Sequence, residues 1–266
     1  MKTINKIKKI FKRAALMLAA LLMVALQPAV AQPTSVETLW ERGNTLYAAG
    51  DYNGALAVYD SIQKEGWASA KLFYNMGNAY FKGGQLGEAI LHYHKAQKLA
   101  PADDDVAYNL AYANSFVKDK IEVVPEFFLK VWLSKVGNLM SSNAWAVCSL
   151  VALALTLIAG LVYVLGAKSS VRKGGFVVGI VCGVLTLVMV AFGGAERRDV
   201  LDCSEAVVVS SAAAVKSSPD RTSKDIFILH EGTTVKVLDT FGAWNEIRIA
   251  DGNEGWIASS AIRVVD

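Results

Sequence analysis

Residues 70–103 read AKLFYNMGNAYFKGGQLGEAILHYHKAQKLAPAD, and residues 36–69 carry the same marks 34 positions earlier. Gly43 matches Gly77, Leu46 matches Tyr80, Gly50 matches Gly84, Tyr52 matches Leu86, Ala55 matches Ala89 and Tyr59 matches Tyr93. Similarity at a fixed period marks a repeat architecture, in which each helical hairpin buries its apolar face on the next. Small residues at Gly43, Gly77, Ala55 and Ala89 let two helices cross closely, and the aromatic residues fill the gap between them. Gly50-Asp51 and Gly83-Gly84 are turns, because glycine accepts the backbone angles that end a helix. Pro101 closes the second unit.

This spacing resembles the tetratricopeptide repeat. It places repeats at 36–69 and 70–103 in a domain of residues 32–120. A third unit starts after Pro101. Asp103 or Asp104 supplies its N-cap, and 104–118 forms a helix that covers the second repeat. The run Asp103-Asp104-Asp105 is read as a helix start rather than a metal site. Such a domain presents a concave groove to an extended peptide or a partner helix. By position the groove side carries Trp40, Asn44, Tyr47, Tyr74, Asn75, Asn78, Phe81, Tyr108 and Tyr112. The alternative is that several of these aromatics pack between helices. Asn44 and Asn75 resemble residues that chaperone-binding members use on a C-terminal carboxylate. The third repeat here has Asp105 and Asn109 where those members have bases, so no carboxylate clamp is expected. Two and a half repeats are few for a free-standing array. Support is expected from a partner or from the membrane-proximal segment.

Of the 266 residues, 53% are hydrophobic and only 19% charged, with the excess concentrated in a few runs. Residues 1–31 combine six bases, no acid, an apolar stretch too short to span comfortably, and Ala29 and Ala31 at the end. That is the pattern of a secretory signal peptide cleaved after Ala31, with an uncleaved anchor as the alternative. The rest holds 21 Lys+Arg against 24 Asp+Glu, so the basic balance belongs to the targeting segment and no nucleic-acid surface is implied. Cys148, Cys182 and Cys203 do not form a disulfide framework or a metal spacing.

Residues 121–143 read as an amphipathic juxtamembrane segment. Phe128, Trp132, Val136 and Leu139 lie near one helical face, opposite Glu126, Lys130, Ser134 and Asn138. It either lies in the headgroup region or packs on the repeats. Residues 144–166 and 174–195 are uncharged runs of spanning length. The connector 167–173 holds three bases and no acid, which places it in the cytoplasm and agrees with an exported N-terminus. Neither span carries an ionisable relay, so the hairpin reads as an anchor. Gly175, Gly179 and Gly183 give the second span a small-residue face for close helix packing.

Beyond residue 200, short strands alternate with turn residues. Strands are expected at 206–209, 234–239, 245–249 and 262–265, with Val215-Lys216-Ser217-Ser218-Pro219 leading into a long loop. Asp251-Gly252 marks a hairpin. Glu231-Gly232, Trp244, Asp251-Gly252 and Gly255-Trp256-Ile257 resemble a bacterial SH3-like domain over 200–266. The resemblance implies a peptide or cell-wall ligand. Phe241 and Trp244 are the candidate contacts, and Trp256 is read as core.

The expected fold is therefore multidomain: all-α tetratricopeptide-repeat hairpins, a two-helix transmembrane hairpin, and a small all-β SH3-like barrel. Further marks are Tyr108-Asn109-Leu110-Ala111, Asp119-Lys120-Ile121-Glu122, Pro125-Glu126-Phe127-Phe128 and Ser141-Ser142-Asn143-Ala144-Trp145-Ala146. With these, the ordered whole resembles the BatE-type proteins of aerotolerance operons. That resemblance implies a bacterial inner-membrane complex with von Willebrand-type A-domain membrane proteins and, indirectly, a MoxR-like ATPase. It implies both soluble domains on the exterior side. A non-catalytic adaptor is expected, with peptidoglycan binding through the barrel as the alternative. No catalytic, cofactor-binding or metal residues are expected. His92 and His94 lie two apart on a helix and face different ways, and His230 has no nucleophile motif beside it.

Overall fold

The turn signals and repeat period set where the helices begin and end. In the computed structural model, which describes residues 35–122, 127–202 and 204–266, the repeat region forms five helices. They are α1 (Ser35–Ala48), α2 (Tyr52–Lys64), α3 (Ala70–Lys82), α4 (Leu86–Leu99) and α5 (Asp104–Ser115). The export segment 1–31 lies outside the described residues, as do Pro125, Glu126 and Cys203. Further along come α6 (Phe128–Gly137), α7 (Ser142–Leu165) and α8 (Ser169–Leu201), then seven strands. The chain divides into two compact units: residues 143–193 hold the apolar helical hairpin, and residues 35–142 with 194–266 hold the repeats and the barrel.

In the hairpin unit, α7 and α8 are long and apolar enough to cross a membrane. Their outward leucines and valines are exposed, and contiguous apolar surface of this kind marks a membrane or protein contact. The glycine face of α8 meets α7 closely. A Cβ on Gly175 would stand 2.8 Å from the Tyr163 backbone nitrogen and 2.9 Å from the Ala159 carbonyl. Gly179 and Gly183 face Ala159 and Thr156 in the same row. Trp145 stacks on Phe192 at one end and Tyr163 meets Phe176 at the other.

In the second unit, helices start on side-chain caps. Asp51 accepts the Gly54 N–H, Ser69 the Leu72 N–H, and Asp103 those of Asp105 and Val106. A Cβ on Gly43 would lie 2.5 Å from the Tyr59 ring, and one on Gly77 2.6 Å from the Tyr93 ring. The repeat therefore keeps glycine where its own tyrosine lies. Ala55, Tyr59, Leu72, Phe73, Met76 and Ala79 form the core between hairpins.

The strands are β1 (Glu205–Val208), β2 (Ala212–Lys216), β3 (Asp225–His230), β4 (Thr234–Phe241), β5 (Trp244–Arg248), β6 (Glu254–Ala258) and β7 (Ile262–Val264). They pair antiparallel in the order β3-β2-β6-β5-β4-β1-β7 around Val208, Val215, Leu229, Val235, Ile247 and Ile257. Strand β2 differs from the sequence reading, which took this stretch as the entry to a loop. Its alanines carry little strand signal alone, and pairing with β3 decides the matter. Trp256 is also corrected. Gly255 and Ile257 point into the core, so alternation turns Trp256 to the other face, where it is half-buried beside Lys216 and Glu246.

The support that two and a half repeats need comes from the barrel. Ala89, Ile90 and Tyr93 of α4 share one core with Leu110, Ala113 and Val117 and with Val207 and Val265 of the barrel. Fully burying a side chain such as Val207 contributes roughly 1.5–3 kcal/mol. Repeats and barrel are one continuous body.

Candidate functional site

The groove-side residues fall into two groups by what their polar atoms do. In the first, Asn44 accepts from the Tyr59 hydroxyl at 2.8 Å and from Asn75 Nδ2 at 2.9 Å. One repeat later Asn78 accepts from the Tyr93 hydroxyl at 2.7 Å and from Asn109 Nδ2 at 3.0 Å. Asn109 also donates to the Tyr74 hydroxyl at 2.8 Å. These amides form a ladder that ties α1 to α3 and α3 to α5. Burial raises the hydroxyls of Tyr59 and Tyr93, so both stay protonated donors. Trp40 packs against Tyr59, and Tyr47 against Tyr52.

The second group stands open. Tyr108 is 70% exposed and Tyr112 49%, with their rings nearly parallel. Phe81 packs against Tyr112, and both rings meet Phe116, which is 56% exposed. Phe116 was not among the expected groove residues, although its i+4 and i+8 spacing from Tyr112 and Tyr108 was available as a signal. Beside this ridge a depression of about 250 Å³ is lined by Trp40, Ala70, Lys71, Tyr74, Asn75, Asp103 and Asp105. Exposed rings beside a depression with charged and aromatic lining suit a peptide whose side chains stack on the rings.

On the barrel, Phe241 and Trp244 pair across the β4–β5 hairpin, and Trp244 stands opposite Ala258. Phe241 is 64% exposed and Trp244 half-buried. Alternation puts Trp244, Glu246 and Trp256 on one outer face, with Asn245 and Ile247 turned inward.

The histidines serve the contact between repeats and barrel, or the helix interior. The Asp119 carboxylate accepts the His230 N–H, His230 Nδ1–H and the Thr233 hydroxyl, each at 2.7 Å. Burial pushes the Asp119 carboxyl up, but these three donors outweigh it and hold it below the ordinary carboxylate value. Lys118 donates to His230 Nε2 at 2.9 Å, which the tautomer with its proton on Nδ1 satisfies. His92 lies between Phe73 and Tyr80 and donates from Nδ1 to the Glu88 carbonyl. Burial drives it down to about 4, so it is neutral. His94 is also pushed down by burial, against the pull of Glu205. Sequence reasoning missed Asp119, whose partners lie more than a hundred residues away.

Comparison with known families agrees with this geometry in two places. Residues 70–103 match the tetratricopeptide repeat, and residues 211–263 match the bacterial SH3 domain. No curated protein matches the chain in a sequence search. The repeat points to protein–protein contact and the bacterial SH3 match to the cell wall.

Proposed function

We propose that this chain is a non-catalytic, membrane-anchored scaffold of a bacterial envelope complex. Its N-terminal segment directs export and is removed after Ala31. α7 and α8 then hold it in the inner membrane as a multi-pass anchor, and repeats and barrel face the exterior. The observation that carries this reading is the open ridge of Phe81, Tyr108, Tyr112 and Phe116 on a repeat whose remaining groove atoms are internally bonded. Such a surface is built to take a protein ligand without changing shape. Partners of the von Willebrand-type A-domain class, with a MoxR-like ATPase acting through them, and a role in aerotolerance or stress response follow from the resemblance to BatE-type proteins.

Co-purification from detergent-solubilised membranes tests it. The full chain should bring down an A-domain membrane protein, and Tyr108→Ala/Tyr112→Ala should lose it while remaining folded. Equal recovery with both would end the groove assignment.

A second reading is favoured by the outer face of Trp244 and Trp256 with exposed Phe241, since stacked aromatics suit sugar rings and short peptides. The barrel would then bind peptidoglycan. Sedimentation of the full chain in detergent with purified wall, against Phe241→Ala/Trp244→Ala, separates this from the scaffold reading.

A further inference from the structure

Helix α6 reads FLKVWLSKVG, with two lysines and no acid. At about 100° per residue, Phe128, Trp132, Val136, Leu129 and Leu133 fall in one arc of about 140°. Lys130, Ser134 and Gly137 occupy the other side, Lys135 borders the arc beside Phe128, and Val131 lies just beyond it. Most of the apolar arc is not covered: Phe128 is 74% exposed, Trp132 58%, Leu129 45% and Leu133 44%, while Val136 is half-buried. Phe127 before the helix and Leu139 after it are exposed as well. The sequence also allowed packing on the repeats, but the exposed arc residues make no such contact. The buried cores of the repeats include none of the apolar residues of α6. A contiguous apolar surface of this kind marks an interaction site.

Two observations select its occupant. The first is composition. Phe and Trp at the apolar face with Lys beside them suit the boundary between acyl chains and headgroups, where aromatic rings sit half in hydrocarbon and lysine stems reach outward. The second is tether length. Gly137 ends α6 and Ser142 begins α7, the 24-residue apolar helix. The four residues between them give five Cα–Cα steps, which reach at most roughly 18 Å. A bilayer that takes up α7 therefore keeps the C-terminal end of α6 within that distance of its surface.

We propose that α6 is a lipid-docking helix. It lies along the membrane surface with Phe128, Leu129, Trp132 and Leu133 among the upper acyl chains and Ser134 toward water. The inference rests on the reading of α7 and α8 as a membrane hairpin. A partner helix is the competing occupant.

The test uses the full chain in nanodiscs of phosphatidylcholine and phosphatidylglycerol. Cys148, Cys182 and Cys203 are replaced by alanine, and one cysteine is introduced at a time and labelled with an environment-sensitive fluorophore. The expected result for Leu129→Cys, Trp132→Cys and Leu133→Cys is blue-shifted emission. Their quenching by lipids nitroxide-labelled near the carbonyls should be at least roughly twofold stronger than at Ser134→Cys. Aqueous iodide should quench Ser134→Cys preferentially. Equal iodide quenching on both faces overturns the proposal. So does an apolar arc shielded from iodide yet untouched by the lipid quenchers, which is the signature of a protein occupant. Leu155→Cys and Leu187→Cys report separately on the hairpin. If lipids labelled near the chain ends do not quench them, the membrane reading fails instead. All labelled positions are exposed, and an unchanged elution profile and melting temperature show that each variant is folded.

Discussion

The Glu231 carboxylate accepts the backbone N–H of Gly87 at 2.8 Å. Gly87 sits in the first turn of α4, whose N-cap residue Gln85 makes no side-chain cap bond. A residue of the barrel thus caps a helix of the repeats, 144 positions earlier in the chain. A free N-terminal N–H is met by a carboxylate that also suits the positive end of the helix dipole. Glu231→Ala should destabilise the chain by about 1 kcal/mol, the usual cost of losing a cap. Thermal unfolding in detergent checks it, and Glu231→Gln should recover part of the loss.

The two backbones also come close at Gly87. A Cβ there would stand 2.7 Å from the Val208 carbonyl oxygen and 3.0 Å from the Val209 Cα. Gly87→Ala should cost roughly 1–3 kcal/mol, as overpacking does. Hydrogen exchange should rise along α4 and β1 but not in α1 and α2. Uniform exchange across all four elements would contradict this contact.

Asp119 binds the loop after α5 to His230 and Thr233 of the barrel. Its folded value lies below the ordinary one of 3.8. Its contribution is therefore complete above that ordinary value and is lost as pH falls through the lowered folded one. Asp119→Asn should cost roughly 1–3 kcal/mol, because the charge is lost and one accepting oxygen is replaced by an NH2 that faces donors. It should also reduce the acid sensitivity of the contact below about pH 4, read by proteolysis of the connecting loops.

His92 sets a second, higher window. Its value falls from 6.5 in the open chain to about 4 in the fold. The unfolded chain binds the proton more readily, so stability is full above 6.5 and declines as pH drops toward 4. Over that window the loss reaches roughly 3 kcal/mol at most. His92→Phe should flatten most of the profile in chemical denaturation, leaving a remainder from His94, which burial also depresses.

The groove residues should separate by role. Asn78→Ala removes the acceptor for Tyr93 and Asn109 and should cost roughly 1–3 kcal/mol. Tyr112→Ala should change stability far less, because half of its ring area is already in water. Partner recovery should drop with Tyr112→Ala by more than its melting temperature explains.

The fold class was legible in the sequence because each of its parts has a local signature. The 34-residue period, the two uncharged runs and the Gly-Trp-Ile strand each report on their own neighbourhood. The groove positions followed from that period, but the bonds of Asn44, Asn75 and Asn78 did not. A repeat position tells where a side chain points and not whether a neighbour 31 residues away satisfies it. The contact between repeats and barrel was invisible for the same reason. Gly87, Asp119 and Glu231 look like a helix glycine, a loop acid and a turn residue until folding brings them together.

The most direct test of a single body is a crosslink in native membranes. Lys95 of α4 and Asp266 at the chain end form an ion pair. In the chain with Cys148, Cys182 and Cys203 replaced by alanine, Lys95→Cys and Asp266→Cys should be joined within one molecule by a short bifunctional thiol reagent. Glu231→Ala/Gly87→Ala should reduce that yield. Two thiols that each react freely with a maleimide but do not join to one another would contradict the account.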